Sequence, residues 1–386
     1  FSSLYPNFNE EETKNSEKYF NFILENFPDR SEIVLLKVVF FIFSFEARKI
    51  FIKDSSIPKF VRNLQSSNLS LLRKLGSGIT ALFGLSTARS LDGEGSVYKH
   101  LDYPIYKNTK IEKKNISIPK SIEVAVIGSG SGGGIAASVL NEKYEVGIFE
   151  KGSSGNGMTN NETFGYHNFY DTYGIQQTRG YKVLLLAGMG IGGGTSVNWT
   201  TSLRTPDKIL NEWDTLTKQA NYFNSSEFKN SMDYVCKELN VDIKNNRIPQ
   251  KEKKLAEGLE LNNLSYKIIP RNTSNADCTE SGFSTFGRYD ESINSSNKIW
   301  FSEERFEPNN VFSDTNIRSL KISNGKATHI NVENNGILHE IAVDRVILAA
   351  GSLNTPKILL DSGYKNKHLG RNLKLHPVSG LSLIHI

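Results

Sequence analysis

The stretch VAVIGSGSGGG (124–134) decides the fold of this chain. Its first four residues form a continuous apolar run, which predicts a buried strand, and the small residues of IAASVLN (135–141) predict a helix. A second apolar run, YEVGIFE (144–150), predicts another strand. Strand, helix and strand in this order are typical of a βαβ unit, so the sequence predicts an α/β fold with a parallel sheet.

The glycines of this stretch have the spacing of a dinucleotide-binding turn. Gly128 permits a tight turn, Gly130 lets the backbone approach a pyrophosphate, and Gly133 permits close packing of the helix on the strand. The helix N-terminus adds N–H groups and a positive dipole end for the phosphates. Glu150, at the end of the second strand, is expected to hold ribose hydroxyls. The sequence therefore predicts a Rossmann-like dinucleotide site; a glycine-rich turn of another α/β protein is the alternative.

Three features bear on which dinucleotide this turn would bind. The acid at Glu150 is compatible with NAD or FAD and disfavours the ribose phosphate of NADP. LAGMGIGGGTSVN (186–198) is a second glycine-rich segment, whose backbone could lie flush against a flat ring or a phosphate. VILAAGSLNTP (346–356) predicts an apolar strand followed by a helix with Pro356 in its first turn. The last two segments favour FAD over a nicotinamide cofactor, with ordinary turns as the alternative.

The composition limits the class of protein. With 386 residues, 38% of them hydrophobic, the chain can bury a sizeable core and has the length of two or three domains. The net charge is only +5, and no basic block is dense enough to indicate nucleic-acid binding. Cys236 and Cys278 are too few for a disulfide framework or a cysteine zinc site, so we expect a reducing compartment and no metal.

The N-terminal region contains two apolar segments. IVLLKVVFFIFSF (33–45) is shorter than the roughly 20 residues that a membrane-spanning helix needs. LSLLRKLGSGITALFGL (69–85) has apolar positions at helical spacing. Each segment could pack within its own domain or contact a membrane, and the sequence leaves both interpretations open. We expect an intracellular protein, with the endoplasmic reticulum or the peroxisome as the candidate membranes.

The rest of the chain contains a mainly helical region followed by a series of short strands. Residues 207–265 are predicted to be mainly helical, and a late series of short strands is separated by Asn-Gly turns at 324–325 and 335–336. The predicted strands are NIRSLKI (316–322), ATHINVE (327–333), ILHEIAV (337–343) and RVILAAG (345–351). The predicted domains are an N-terminal helical extension (1–120), the first part of the dinucleotide-binding domain (121–206), a mainly helical insert on the substrate side (207–308) and the continuation of the dinucleotide-binding domain (309–386).

Several motifs in a fixed order now point to a family. The chain resembles the glucose–methanol–choline (GMC) family of FAD oxidoreductases, and within it the long-chain fatty-alcohol oxidase branch. The family motifs are GSGSGGG (128–134), GMGIGGGTSVNW (188–199), GSLNTPKILLDSG (351–363) and GRNLKLHP (370–377). The branch motifs are VNWTTSLRTPDKILNEW (197–213), MDYVCKELNV (232–241) and IPRN (269–272). The resemblance implies a Rossmann-like FAD-binding domain with an antiparallel β-meander insert and a helical N-terminal extension.

The resemblance also implies which residues bind FAD. The first glycine motif would contact the pyrophosphate, Glu150 the adenosine ribose, and the second glycine motif the ribityl chain and flavin ring. The strand that contains Ile317 would offer backbone groups to the adenine, and the third motif would lie near the flavin. The expected cofactor-binding residues are Gly128, Ser129, Gly130, Gly133, Gly134, Glu150, Gly192, Gly193, Gly194, Asn198, Ile317, Gly351 and Ser352.

One family feature has no counterpart in this sequence. Members of the family have a catalytic histidine, paired with an asparagine or a second histidine, near the C-terminal end of the full protein. Nothing here matches that motif, and His376 belongs to a different one. We therefore expect a fragment whose catalytic base lies beyond residue 386 and which is inactive by itself. Relatives in this branch also have several cysteines in a loop where this chain has only Cys278.

The activity expected from the resemblance is that of a flavoprotein oxidoreductase. It would oxidise a primary long-chain fatty alcohol to the aldehyde, with oxygen as acceptor and hydrogen peroxide as product. The expected partner is a lipid-like alcohol, and segments 33–45 and 69–85 are the candidates for membrane association. The alternatives are a family dehydrogenase with another acceptor or substrate, a flavin-binding remnant without activity, and a nicotinamide dehydrogenase.

Overall fold

A computed structural model of the chain describes residues 8–26, 57–90, 93–94, 117–154, 162–178, 183–218, 221–244, 248, 250–274, 292–302, 304–307 and 310–375. The apolar segment 33–45, the loop around Cys278 and His376 lie outside the described residues. The chain forms two compact units, and each is described by itself. Unit 1 comprises Phe1–Asn108 and Thr159–Leu186, and unit 2 comprises Thr109–Met158 and Ala187–Ile386. The domain division at 120, 206 and 308 stays a prediction.

The described chain begins with three helices, and four consecutive strands precede its last helix. The described α-helices are α1 (Glu10–Asn26), α2 (Ile57–Gln65), α3 (Ser70–Ala88), α4 (Ser131–Leu140), α5 (Glu162–Phe169), α6 (Asp207–Thr217), α7 (Ser226–Glu238), α8 (Gln250–Leu261), α9 (Ser296–Trp300) and α10 (Gly351–Asp361). The described strands are β1 (Arg89–Ser90), β2 (Gly93–Glu94), β3 (Ser121–Ile127), β4 (Val146–Phe149), β5 (Val241–Asp242), β6 (Arg271–Asn272), β7 (Val311–Phe312), β8 (Thr315–Ser323), β9 (Lys326–Asn334) and β10 (Ile337–Leu348).

Unit 1 is mainly helical. The amphipathic segment predicted at 69–85 forms α3, which packs on α1 and α2 of the same unit. Tyr19 of α1 is buried, and its hydroxyl lies 3.3 Å from Nε2 of His167 on α5, whose ring stacks on the rings of Tyr19 and Phe22. Among the residues that the structure describes, we find no helix with both the length and the hydropathy of a membrane span.

Unit 2 is built on one six-stranded sheet with the strand order β7-β4-β3-β10-β9-β8. The strands β7, β4, β3 and β10 are parallel, whereas β10, β9 and β8 form an antiparallel meander. Side chains of β3 and β4 pack on both faces of the sheet, because Ile127 and Phe149 join one hydrophobic cluster and Val124 and Ile148 the other. This explains the continuous apolar runs, and the α/β fold with a β-meander and a helical N-terminal region is confirmed.

The two strands predicted at 337–343 and 345–351 are one continuous strand, β10. The prediction of two separate strands is therefore wrong. The first half of β10 pairs antiparallel with β9 and the second half parallel with β3, and Ala342 is paired on both edges. The charged Arg345 does not break the strand. Its guanidinium lies 3.3 Å from the Glu123 carboxylate of β3 and 4.9 Å from the centre of the Tyr144 ring.

The start of α10 also differs from the prediction. The sequence predicts Pro356 in the first turn of its helix, whereas α10 begins at Gly351 and Pro356 lies inside it. A proline there removes the N–H that would bond the carbonyl of Ser352, one turn earlier. The first two residues of α10, Gly351 and Ser352, are exposed.

Both predicted Asn-Gly hairpin turns are present, and they permit a test of the meander. Asn324 and Gly325 have φ of +50° and +76°, which is the left-handed geometry of a tight hairpin turn. We expect Gly325→Ala to lower the free energy of unfolding by about 1 kcal/mol, because a side chain disfavours this φ. The same substitution at Gly258, inside α8 with open space around its Cα, should raise it by up to about 1 kcal/mol. Chemical denaturation of both variants would measure the difference; two changes of equal sign would contradict the turn geometry.

Candidate functional site

The turn between β3 and α4, the first glycine loop (residues 128–134), has no room for a side chain at three of its five glycines and open space at the other two. A Cβ at Gly133 would lie 1.9 Å from the carbonyl oxygen of Gly128, and one at Gly128, where φ is +98°, would lie 2.5 Å from the carbonyl oxygen of Ala349. A Cβ at Gly130 or Gly132 would meet nothing within 4 Å. The N-cap of α4 is Gly130, which has no side chain to cap the first turn. The helix N-terminus therefore fits a pyrophosphate, whose oxygens would accept from its N–H groups.

Glu150 follows β4 directly and is buried, with 6% of its surface exposed. Its Oε2 accepts hydrogen bonds from the backbone N–H of Ser129 at 3.0 Å and from the Ser129 hydroxyl at 2.6 Å. Its Oε1 accepts from the N–H groups of Gly152 at 3.0 Å and Gly190 at 3.4 Å. A buried carboxylate needs such donors, since an unpaired buried charge is strongly unfavourable. Glu150 thus connects three chain segments.

The second glycine loop (residues 188–196) packs directly on the first. The N–H of Gly192 donates to the Ser129 hydroxyl at 2.9 Å, and a Cβ at Gly193 would lie 3.1 Å from Cα of Gly130. A Cβ at Gly152 would lie 2.1 Å from the backbone nitrogen of Gly190. Gly190, Gly192 and Gly193 all have positive φ. Two motifs separated by about sixty residues in the sequence therefore form one backbone-lined site.

A short helix that the motifs did not indicate supports both loops. The hydroxyl of Ser296, at the start of α9, donates to the carbonyl oxygens of Ser129 at 2.9 Å or Gly130 at 3.2 Å. The N–H of Ser296 donates to the Thr195 hydroxyl at 2.8 Å. A Cβ at Gly134 would lie 1.8 Å from Oγ of Ser296. Gly134 therefore has a packing role against α9 in addition to its predicted place in the cofactor site.

The third motif joins the site through the end of β10. The N–H of Ala349 donates to the carbonyl of Ile127 at 2.8 Å, so the chain passes beside Gly128 before α10 begins. Gly351, with φ of +80°, and Ser352 are both exposed at the start of α10. Gly194 of the second loop is exposed, and the side chain of Asn198, just after that loop, accepts from the N–H of Thr200 at 3.0 Å. The contact of these residues with a flavin stays a prediction.

The predicted adenine strand lies at the edge of the sheet. Ile317 is paired with Val332 of β9, and its side chain is 6% exposed within the hydrophobic core, so only its backbone could serve a ligand. The residue of β8 that contacts Glu150 is Thr315, whose N–H donates to the Glu150 carbonyl at 2.9 Å. Ile317 is therefore not among the residues brought together around the glycine loops. That the backbone of β8 would contact the adenine stays a prediction.

The sequence interpretation missed Thr195, Ser296 and Thr315. Small hydroxylated residues are common throughout this chain, and no local pattern distinguishes one that supports a distant loop. For Ser296 a weak signal exists, because Ser295 is the N-cap of α9 and its hydroxyl accepts from the N–H of Lys298. Arg204, which follows the second glycine loop in the sequence, is on the surface and pairs with Asp233 at 2.5 Å, and the hydrogen bond to Asp233 raises the pKa of Arg204.

Residues 130–378 match the family model for the GMC oxidoreductase. That match covers more than half of the chain. The chain belongs to the GMC oxidoreductase family. Membership implies a flavin cofactor and an oxidoreductase, and it agrees with the two glycine loops that the fold brings together.

Curated relatives extend this result. The chain is 32% identical to the long-chain-alcohol oxidase FAO4B of Arabidopsis thaliana over 273 residues, which cover 66% of this chain and 36% of the relative. It is 31% identical to FAO4A of the same plant over 267 residues, with the same coverage, and 29% identical to FAO3 over 286 residues, which cover 69% and 38%. The chain thus spans little more than a third of the length of these relatives.

Two solved structures are similar to a lesser degree. Pyridoxine 4-oxidase from Mesorbium loti has a TM-score of 0.39 and 13% identity, covering 63% of this chain and 52% of that one. A fungal aryl-alcohol oxidase has a TM-score of 0.42 and 13% identity, covering 64% and 48%. Separately, the described part of the chain contains no group of three or more His, Cys, Asp or Glu residues arranged to hold a metal ion.

Proposed function

We propose that this chain is the FAD-binding part of an enzyme that oxidises primary long-chain alcohols to aldehydes, with oxygen as acceptor and hydrogen peroxide as product. The observation that carries the proposal is the convergence of both glycine loops and Glu150 into one backbone-lined site, in a family whose members use a flavin. The relatives at about 30% identity are long-chain-alcohol oxidases, which supports the substrate class.

The residues present fit FAD. The N-terminal turn of α4 would hold the pyrophosphate, because Gly130 and Gly132 border open space and Gly130 leaves the helix without a side-chain cap. Glu150 would bind the ribose, and the second glycine loop would lie against the ribityl chain and flavin ring. When bound, FAD would supply the hydride acceptor for the alcohol carbon. The protein's part is to hold the cofactor, orient the alcohol and remove its hydroxyl proton with a base.

We do not assign that base to a residue of this chain. The described histidines of unit 2 are His329 on β9, His339 on β10 and His368 in an exposed turn after α10, and none belongs to the glycine loops. The proposal therefore includes inactivity of residues 1–386 alone toward fatty alcohols. The apolar segments 33–45 and 69–85 are the basis for proposing membrane association, where a lipid-like alcohol would be available. The small number of cysteines is the basis for proposing an intracellular location.

We expect purified residues 1–386 to be yellow and to release FAD on heating, but to produce no peroxide from 1-hexadecanol. A two-band flavin spectrum, chromatography of the released cofactor and a coupled peroxide assay would measure this. A colourless protein that binds NADH would overturn the flavin site, and peroxide production by residues 1–386 would overturn the inactivity.

The activity itself is tested on the complete protein that contains this sequence. Formation of one peroxide per aldehyde would support the oxidase. Reduction of an artificial dye without peroxide would favour a dehydrogenase with another acceptor, and bound FAD with neither reaction would favour a flavin-binding remnant.

A further inference from the structure

Donors of the described chain occupy all the acceptor positions of the Glu150 carboxylate. A carboxylate has about four lone-pair sites. The backbone N–H and the hydroxyl of Ser129 occupy those of Oε2, and the N–H groups of Gly152 and Gly190 occupy those of Oε1. A ribose hydroxyl that binds Glu150 therefore competes with these four donors, of which the Gly190 N–H, at 3.4 Å, is the most distant.

The Ser129 hydroxyl is the donor that can leave without moving the backbone. The other three are main-chain N–H groups, fixed by the turns that contain them. The Ser129 hydroxyl has a second acceptor within reach, because the carbonyl oxygen of Gly190 lies 3.3 Å from its Oγ. That carbonyl already accepts from the N–H of Gly193 at 2.8 Å, and its second lone pair remains for the hydroxyl. While its proton changes acceptor, Oγ keeps the bond from the N–H of Gly192.

We propose that Ser129 is a positioning residue that couples ribose binding to the second glycine loop. Without a ligand its hydroxyl donates to Glu150. When a ribose diol binds Glu150, the hydroxyl donates to the carbonyl of Gly190 instead. Ser129 then holds the second loop by two hydrogen bonds rather than one. This inference rests on the proposed function in one respect, namely that the ligand is a dinucleotide with an intact adenosine ribose.

The coupling has a consequence for cofactor selection. The second loop carries Gly192 and Gly193, the residues predicted to lie against the ribityl chain and flavin. The second loop gains its additional hydrogen bond only after the adenosine half has bound. The ribose end of the site is therefore ordered before the flavin end. A ligand with the same phosphates but no ribose hydroxyls would bind the first loop without tightening the second.

The experiment compares ADP with 2′,3′-dideoxy-ADP, because the two differ only in the ribose hydroxyls. Hydrogen–deuterium exchange is followed at residues 128–134 and 188–196 of the cofactor-free protein. We expect both nucleotides to slow exchange in the first loop. ADP should slow exchange in the second loop about fivefold more than dideoxy-ADP, the factor for one additional hydrogen bond.

Three variants separate the hydroxyl from general loop stability. In Ser129→Ala the two nucleotides should have equal effects on the second loop, whatever its basal exchange rate. Ser129→Thr keeps the hydroxyl and should restore the difference. Ser231→Ala is the matched control, since Ser231 is exposed on α7 and its hydroxyl bonds only one turn back, to the Glu227 carbonyl at 3.0 Å. It should behave as the unmodified protein.

The outcomes distinguish this inference from the proposed function. Protection of the first loop by both nucleotides with equal effects on the second loop of the unmodified protein overturns the coupling but keeps the dinucleotide site. A difference that persists in Ser129→Ala also overturns it. If neither nucleotide protects residues 128–134, the dinucleotide site itself is wrong, and the coupling with it. Should Ser129→Ala fail to fold, the comparison of ADP with 2′,3′-dideoxy-ADP in the unmodified protein still tests whether ribose binding is coupled to the second loop.

Discussion

Gly133→Ala is expected to abolish FAD binding and to lower the free energy of unfolding by about 3 kcal/mol, at the upper end of the range for overpacking. The added Cβ would lie 1.9 Å from the carbonyl oxygen of Gly128, which is backbone and cannot rotate away. Either α4 moves off β3 or the turn opens, and both displace the N–H groups of the first turn from the pyrophosphate position. Flavin fluorescence titration would measure binding, and thermal denaturation of the cofactor-free protein would measure stability.

The neighbouring residue provides the control for this prediction. Gly132→Ala adds the same methyl group to the same helix, but its Cβ would meet nothing within 4 Å. Because alanine is favoured over glycine within a helix, we expect stability that is unchanged or higher by up to about 1 kcal/mol. Equal stability losses at Gly132 and Gly133 would mean that the close approach of α4 to the turn is wrong.

Glu150→Ala is expected to lower the free energy of unfolding by about 3–4 kcal/mol and to weaken FAD binding at least tenfold. The substitution removes the acceptor of four hydrogen bonds, three of which come from buried backbone N–H groups of Ser129, Gly152 and Gly190. Water entering the vacated space would satisfy some of them, so the loss is less than the sum of the individual desolvation penalties.

A graded series tests whether the acceptors are the cause. Glu150→Gln keeps the shape but presents an amide NH₂ to two of the donors, and it should lose about 2–3 kcal/mol. Glu142→Ala removes an exposed carboxylate before β4 and should change stability by less than about 0.5 kcal/mol. Chemical denaturation gives both values. If Glu150→Gln is as stable as the unmodified protein, the carboxylate does not hold the three segments together.

Comparison of the two substitutions shows how the site is built. Gly133 is required because it has no side chain, since any side chain there would separate α4 from the turn. Glu150 is required for its hydrogen bonds, which connect the end of β4 to both glycine loops. The first effect was predictable from the glycine spacing, whereas the second was not: the sequence assigns Glu150 to a ribose, and the structure also gives it four partners within the protein.

The sequence by itself determined the parts of this protein that depend on local pattern. Continuous apolar runs gave β3 and β4, since strands buried on both faces need no polar positions, and the Asn-Gly pairs gave the two turns of the meander because they tolerate positive φ. The order of glycine motifs indicated the family. Each of these signals lies within a few residues of the element that it specifies.

Only the tertiary structure decided what joins these parts. Ser296 supports Ser129 from 167 residues away in sequence, and β10 is continuous because β9 and β3 pair with its two edges at Ala342. Hydrogen-bond partners of this kind depend on where the folded chain returns, and a serine that finds such a partner has no local signature. The physical reason is that periodicity and turn preference are properties of neighbouring residues, whereas satisfaction of a buried carboxylate is a property of all the segments around it.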